Sequence, residues 1–267
     1  MKAFIPVFNA IRQVVKFFSK QLHFDKYQSK TGRKLALQIE DILSLAIFKQ
    51  KNYIATKKSL YNIFKPKCSY KTLVVNLNRW FSLAVIILVL LMKINRQNAH
   101  LIKHIDSTEI PVCLFKNAHR HKTMRQYTEF RKKGNTVFYG LKLHIITDLK
   151  RQLLSINFTG AKTDDRAVVI KMSKGLTGIF MADAGYISDK LAREFYQEHQ
   201  RVLLAKPRSN MKKMMTECEE MLYRTRMLIE INFRELKLFY GLVTSLPRSV
   251  GGYLSNYIYS ILAYQIV

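Results

Sequence analysis

The chain has 267 residues, 48% of them hydrophobic, enough to bury a good core and to exclude wholesale disorder. Its 45 Lys and Arg against 18 Asp and Glu give a formal net charge of +27, spread along the whole sequence rather than gathered in a tail. Such a surplus implies a long polyanion as partner, because each cation that meets a phosphate releases condensed counterions; a ribosome or an anionic membrane would meet the same requirement.

The N-terminus, MKAFIPVFNAIRQVVKFFSK, alternates apolar and basic residues as an amphipathic helix does. Arg12 and Lys16 interrupt it and no small-residue cleavage site follows, so it does not read as a signal peptide. RKLALQIEDILSLAIFKQK has apolar residues at helical spacing, and ATKKSLYNIFK is a shorter helix stopped by Pro66. Ser69 then caps a third helix in SYKTLVVNLNRW. Two short helices, a Pro-containing break and a third helix carrying Lys71, Asn76, Asn78 and Arg79 fit a helix-turn-helix DNA reader, and equally a plain helical bundle with a basic surface. LAVIILVLLM, Leu83 to Met92, is about half a membrane span and is expected as a buried helix of a soluble protein. Cys68, Cys113 and Cys218 are odd in number and widely spaced, which fits a reducing cytoplasm better than a disulfide framework.

Near His104 the period changes from helical to strand-like, which sets the expected division: a helical domain over 1–98 and an α/β domain over 99–267. HIDSTEIPVC reads as a strand bounded by Pro111, with Asp106 and Thr108 on one face and Glu109 on the other. Lys116 to Lys133 is polar and basic, with Tyr127 and Phe130 interleaved, and reads as a mobile DNA-contacting loop or a solvated one. TVFYGLKLHIITD and RQLLSINFTG are strands joined by a turn at Asp148 to Arg151. TDDRAVVIKMSKGL is a helix for which Asp164 and Asp165 serve as caps. GIFMADAGYI is a strand that stops at Asp183, Ser188 caps the helix SDKLAREFYQEH, and RVLLAKPRS is a further strand. A long helix follows.

Within that last helix, YRTRMLIEINFRELK sets Tyr223, Arg226, Glu230 and Lys237 at offsets of three, four and seven. At about 100° per residue they fall within roughly 60° of one helix face, beside the apolar stripe Leu222, Ile229, Phe233 and Leu236. A solvated face with i,i+4 pairing of Arg226 and Glu230 would account for this spacing. The distribution of acids adds a second reading. Phosphodiester chemistry with hard cations needs carboxylates converging from separate elements. Asp106 in the first strand, Asp183 closing a later one and Glu230 on the helix supply them, although each Asp could also serve only a turn. His100, His104, Cys113, His119 and His121 could be imagined as a zinc site, but no paired CxxC supports one.

YRTRMLIEINFRELK matches the Y-x2-R-x3-E-x6-K signature of bacterial insertion-sequence transposases of the DDE type. DSTEIPVC, FYGLKLHIITD, TDDRAVV, ADAGYIS, LLAKPRS and LPRSVGGYLSNYIYSILAYQI also resemble that family in order and spacing, closest to the insertion-sequence group numbered nine-eight-two. Ala184 departs from the pattern, standing where relatives often carry a basic residue. The resemblance covers roughly 100–267 well and the N-terminus loosely. It implies a ribonuclease H-like catalytic domain, a mixed sheet flanked by helices, preceded by a small all-helical N-terminal domain. It also implies that Asp106, Asp183 and Glu230 hold two Mg2+ ions, with Mn2+ able to substitute, while Tyr223, Arg226 and Lys237 handle the DNA end.

In this reading Arg226 lies about 6 Å up the helix axis from Glu230 and Lys237 about 10 Å down it, comparable to successive phosphates; Arg226 could instead orient Glu230 through an i,i+4 hydrogen bond. The activity implied is cutting at the ends of an insertion sequence and joining of the 3′-hydroxyl ends to target DNA. The partners implied are double-stranded DNA, as terminal inverted repeats and target, and a second copy of the chain in a homodimer. No membrane partner is expected, and the location implied is a bacterial cytoplasm, at the nucleoid. The alternatives are a metal-dependent nuclease without strand joining and a non-catalytic nucleic-acid-binding remnant of a mobile element.

Overall fold

A computed structural model describes residues 4–27, 36–207, 211 and 214–266. Arg33 to Leu35 of the second expected helix, and Arg208 and Ser209 of RVLLAKPRS, lie outside the described residues. Contacts divide the chain into two compact units, Met1–Leu91 with Glu235–Val267, and Met92–Arg234. The expected division at residue 98 put the C-terminal helix with the strands; the contacts group it with the N-terminal helices.

The first unit is helical. It contains α1 (Phe4–Gln21), α2 (Ile39–Lys51), α3 (Lys57–Phe64), α4 (Tyr70–Arg79), most of α5 (Phe81–Gln97) and α10 (Val250–Gln265). α2 is its buried centre, with Ile39, Ile42, Leu43 and Ile47 fully enclosed. Phe48 of α2 meets Phe8 and Phe64 at ring-centroid distances of 5.9 and 5.1 Å. The Arg12 guanidinium donates to Asp41 at 2.6 Å, tying α1 to α2, and the Tyr259 hydroxyl donates to the Leu77 carbonyl, tying α10 to α4.

Ser69 caps α4 as expected, its hydroxyl accepting from the Thr72 N–H. Two of the polar residues named on α4 are used internally: Asn76 is buried and donates to the Thr72 carbonyl, and Asn78 accepts from Lys57. α5 buries one stripe, Leu83, Ala84, Ile87 and Leu88, while Val89 and Ile94 are exposed. Among the described residues no single helix is long and apolar enough to cross a membrane; α4 and α5, bent by 41°, pass that test only as a pair.

The second unit is built on a sheet of six strands: β1 (Ile102–Pro111), β2 (Glu129–Lys133), β3 (Thr136–Asp148), β4 (Leu153–Gly160), β5 (Ile179–Ala182) and β6 (Val202–Ala205). β1 is central, antiparallel to β3 on one side and parallel to β5 on the other, with β6 parallel to β5 at the edge. The long β3 shares its far edge, pairing β2 through Thr136–Gly140 and β4 through Leu141–Thr147. The β3–β4 turn closes where expected, with Arg151 in the left-handed region at φ 66° and its N–H bonded to the Asp148 carbonyl.

Alternation along β1 assigns its two faces. Ile105 enters the core formed with Val169 and Met172 of α6 (Arg166–Ser173) and Leu191 and Phe195 of α7 (Asp189–His199). His104 and Asp106 therefore point to the opposite face. Ser188 caps α7 as expected, accepting from the Leu191 N–H.

The stretch from Lys116 to Lys133 is not a loop throughout. Phe115–Arg120 forms a 3-10 turn and Glu129–Lys133 forms β2. The cause is aromatic. Phe130 pairs with Tyr139 across the strands at 4.7 Å and packs near Phe115 and His119, so a few rings order a segment whose composition is otherwise polar.

Gly140 sits where β3 is flanked by both β1 and β2, and a Cβ there would lie 2.1 Å from the Ile110 carbonyl oxygen. Backbone cannot move aside as a flexible side chain can. Gly140→Ala is expected to cost about 2–3 kcal/mol, read by urea unfolding. Gly251→Ala, at a helical position with nothing within 4 Å of the new methyl, is expected to gain about 0.5–1 kcal/mol.

Candidate active site

The expected single helix over 223–237 is two helices, α8 (Glu217–Arg224) and α9 (Met227–Leu238). Thr225 breaks it. Its hydroxyl donates to the Leu222 carbonyl at 2.6 Å, and the following N–H groups bond three residues back rather than four: Arg226 to Tyr223, Leu228 to Thr225, Ile229 to Arg226. Tyr223 therefore stands on α8, Arg226 in the junction, and Glu230 and Lys237 on α9. The one-face geometry does not hold across the break. The apolar stripe does hold on α9, where Ile229, Phe233 and Leu236 are buried.

The junction is fastened to β1. His104 Nε2 and the Thr225 hydroxyl are 2.8 Å apart, and the Arg226 guanidinium donates to Asp106 at 2.5 Å. The same guanidinium donates to Glu230 at 2.7 Å, so Arg226 bridges two acids. The other Asp106 oxygen accepts from the Ser107 N–H at 2.8 Å.

Asp183 follows the last residue of β5 and accepts from the Ala184 N–H at 2.7 Å. β1 and β5 pair His104 with Met181; continuing that register by two residues brings Asp106 beside Asp183. Burial pushes the Asp106 carboxyl up to about 6, against the pull of Arg226, and the negative charges of Asp183 and Asp165 add to the rise. Arg226 is shifted upward: burial works against its charge, and Asp106 leads the groups that favour it. Asp106, midway along β1, thus stands beside Asp183 at the end of β5 by register, and Glu230 joins Asp106 through Arg226. As the side chains are arranged, no group of three His, Cys, Asp or Glu among the described residues is poised to hold a metal ion.

Beside them lies a cleft of about 610 Å3 whose lining includes Lys206, Tyr223, Arg224, Arg226, Met227 and Glu230. Lys206 stands over the Tyr223 ring at 6.0 Å. Burial raises the Tyr223 pKa, so its hydroxyl stays protonated as a donor. Lys237 occupies the last turn of α9, two turns beyond Glu230 along the chain, within the part that clusters with the helical unit.

Asp165 departs from its expected role as a cap. Its side chain makes no cap bond; it accepts from Lys142 at 2.9 Å and from the Ser107 hydroxyl at 2.8 Å, and lies 3.5 Å from His144 Nδ1. Asp164 is the acid that caps, accepting from the Arg166 N–H at 2.9 Å, and the Arg166 guanidinium on it holds its carboxyl down to about 2. Lys142 and His144 are buried, and burial holds the His144 imidazole below its ordinary range. Ser107 thus touches both acids, by its N–H to Asp106 and its hydroxyl to Asp165. Lys142, a cation in an otherwise apolar strand, was the sequence signal for this network: a buried ammonium needs an acid.

The histidines imagined for zinc are dispersed: His100 accepts from the Ile102 N–H, His104 meets Thr225, His119 packs on Phe130 and His121 near Tyr139.

A family model for the transposase DDE domain matches residues 96–249, more than half of the chain. No curated protein and no solved structure matches the chain. The matched segment contains Asp106, Asp183, Glu230 and the α8–α9 junction that connects two of them, and the chain belongs to the family of transposases with a DDE domain.

Proposed function

We propose that the protein is a DNA transposase that cuts at the ends of its insertion sequence and joins the resulting 3′-hydroxyl ends to target DNA. The observation that carries this reading is the Arg226 bridge, which draws Glu230 to Asp106 beside Asp183 in a strongly basic chain. The strand order supports a ribonuclease H-like domain: a central strand, antiparallel neighbours on one side and two parallel strands on the other. The substrate is duplex DNA, as terminal inverted repeats and target, with two copies of the chain as the working unit.

The donor set fits hard divalent cations, since Asp106, Asp183 and Glu230 offer only carboxylate oxygens and the two Asp groups feel each other's charge. The Arg226 guanidinium supplies positive charge between Asp106 and Glu230, as a cation there would. Two Mg2+ ions, or Mn2+ in their place, bound by these three acids would activate the attacking oxygen and stabilise the leaving one in an in-line displacement.

The chain's own residues do the rest. The Ser107 and Ala184 N–H groups fix one oxygen each of Asp106 and Asp183, which limits how far either carboxylate can turn. Arg226 orients Glu230 and Asp106 together, so it acts on the acids before it acts on DNA. Tyr223 and Lys206 offer a hydroxyl and an ammonium to a phosphate in the cleft, and Lys237 extends the cationic track along the chain.

Asp106→Asn, Asp183→Asn and Glu230→Gln keep shape but each removes a charged ligand. Each is expected to abolish Mg2+-dependent cleavage of duplex DNA bearing the element ends, while gel-shift affinity stays close to wild type. Wild-type cutting by any one of the three would remove that residue from the site. Joining of a labelled 3′-hydroxyl end distinguishes a transposase from a nuclease, and loss of all metal-dependent cutting would favour a binding remnant.

Lys237→Ala is expected to raise the DNA concentration needed for cleavage and to lower the log–log salt slope of binding by about one, with single-turnover cleavage at saturation retained. Lys237→Arg should keep most of the affinity, since a phosphate at that place requires a cation. An unchanged slope in Lys237→Ala would mean that this lysine serves only its helix.

A further inference from the structure

The helical unit holds a concentration of positive charge that the carboxylate site does not use. A cavity of about 390 Å3 is lined by Lys49 from the end of α2, Lys57 from the start of α3, Tyr70 from the start of α4, and Arg248 and Gly252 around the start of α10. No Asp or Glu is among its described lining residues. Lys49 donates to the Gln50 side-chain carbonyl at 3.0 Å and Lys57 to that of Asn78 at 2.5 Å, both neutral acceptors. Two partly buried ammonium groups and a guanidinium therefore share one concavity with no counter-charge on its wall. The amino end of α10, a helix of 16 residues capped by Ser249, adds the positive end of its dipole.

Like charges gathered in a pocket destabilise the fold that holds them unless something neutralises them. Burial lowers Lys49 to about 8, with the charge of Lys57 adding to the shift, and burial alone lowers Lys57 to about 8. Both remain largely protonated at neutral pH, so the cavity is cationic there.

We propose that this cavity binds a phosphate group through Lys49, Lys57 and Arg248 at the amino end of α10. Its volume lies in the range of small-molecule sites, so it accommodates more than one phosphate, and Tyr70 on its wall offers an aromatic face to an attached group. The phosphate belongs either to a free phosphorylated compound or to a nucleic-acid backbone. The site stands whether or not the three acids cut DNA, because its residues all belong to the helical unit.

The test is thermal unfolding of the full chain with inorganic phosphate or pyrophosphate against chloride at matched ionic strength. Phosphate is expected to raise the melting temperature in a saturable way. Lys49→Met should abolish that increment and, in chloride alone, melt no lower than wild type because a repelling charge has gone. Arg248 is exposed, so Arg248→Ala leaves the packing intact; it should weaken phosphate binding several-fold and keeps the test open if a lysine variant does not fold.

The sign with pH is also fixed. Lys49 and Lys57 bind fewer protons in the folded chain than in the unfolded one between about 8 and 10.5. Their contribution to stability therefore rises with pH across that window, while the phosphate increment shrinks as they lose their charge. Tyr70 and Arg248 are the other titratable groups on the cavity wall.

No increment from phosphate, or the same increment in Lys49→Met and Arg248→Ala as in wild type, overturns the proposal. A second arm identifies the source. If the variants also lower the salt slope of binding to a non-specific duplex by about one or more, the phosphate is a backbone phosphate; if the slope is unchanged while the increment is lost, it belongs to a free compound.

Discussion

The carboxylate site depends on one guanidinium. Arg226 donates to Asp106 on a strand and to Glu230 on a helix, and without it nothing direct joins those two acids. Its position follows from the break before it. Residues two apart on a strand are separated by about 6.6 Å, whereas consecutive residues of a regular helix advance by only about 1.5 Å. Adjacent residues Thr225 and Arg226 nevertheless meet His104 and Asp106 of β1. The tightened turn and the unequal reach of a short hydroxyl and a long guanidinium make up the difference.

The strand that carries Asp106 is divided between chemistry and packing. On one face Ile105 completes an apolar core with α6 and α7; on the other, His104 and Asp106 receive the α8–α9 junction. On the β3 side Asp106 pairs with Ile145, whereas the β1–β5 pairing ends at His104 and Met181, two residues before Asp106 and Asp183. Ser107, between the two faces in sequence, connects Asp106 to a buried group of Lys142, His144 and Asp165. Lys142 is 3% exposed, so its ammonium depends on Asp165 and the Thr163 carbonyl for compensation.

The regular elements were legible because their signals are local. Ser69 and Ser188 mark their helices by cap chemistry, and β1, β3 and β4 follow from period-two patterning. The three acids could be singled out because carboxylates are scarce in so basic a chain. What escaped was non-local. The break at Thr225 depends on His104, 121 residues away, and helical periodicity carries no trace of such a partner. β2 depends on Phe130 finding Tyr139 across a hairpin, within a stretch whose composition reads as loop. Asp165 reads as a cap in sequence because Lys142 and His144 lie on β3 and become its neighbours only when the sheet forms. The grouping of α10 with the N-terminal helices rests on bonds such as Gln50 to Asn256, which no periodicity records.

The large net charge overstates what is free to meet DNA. Lys142 is committed to Asp165, and Arg201, fully buried, is committed to Glu198 and the Ser173 hydroxyl. Arg96 spends its guanidinium on the carbonyls of Leu154, Met172 and Lys174, closing the end of α6 against the start of β4. These cations are structural, and an anion arriving at the surface would have to break existing hydrogen bonds to recruit them. Counterion release is set by cations that can exchange a solvent partner for a phosphate, so the salt dependence of binding reports a subset of the 45 Lys and Arg. Arg226 has a position of its own between these two classes. It is held by two acids, so its contribution to a bound phosphate is tied to whatever else those acids come to hold.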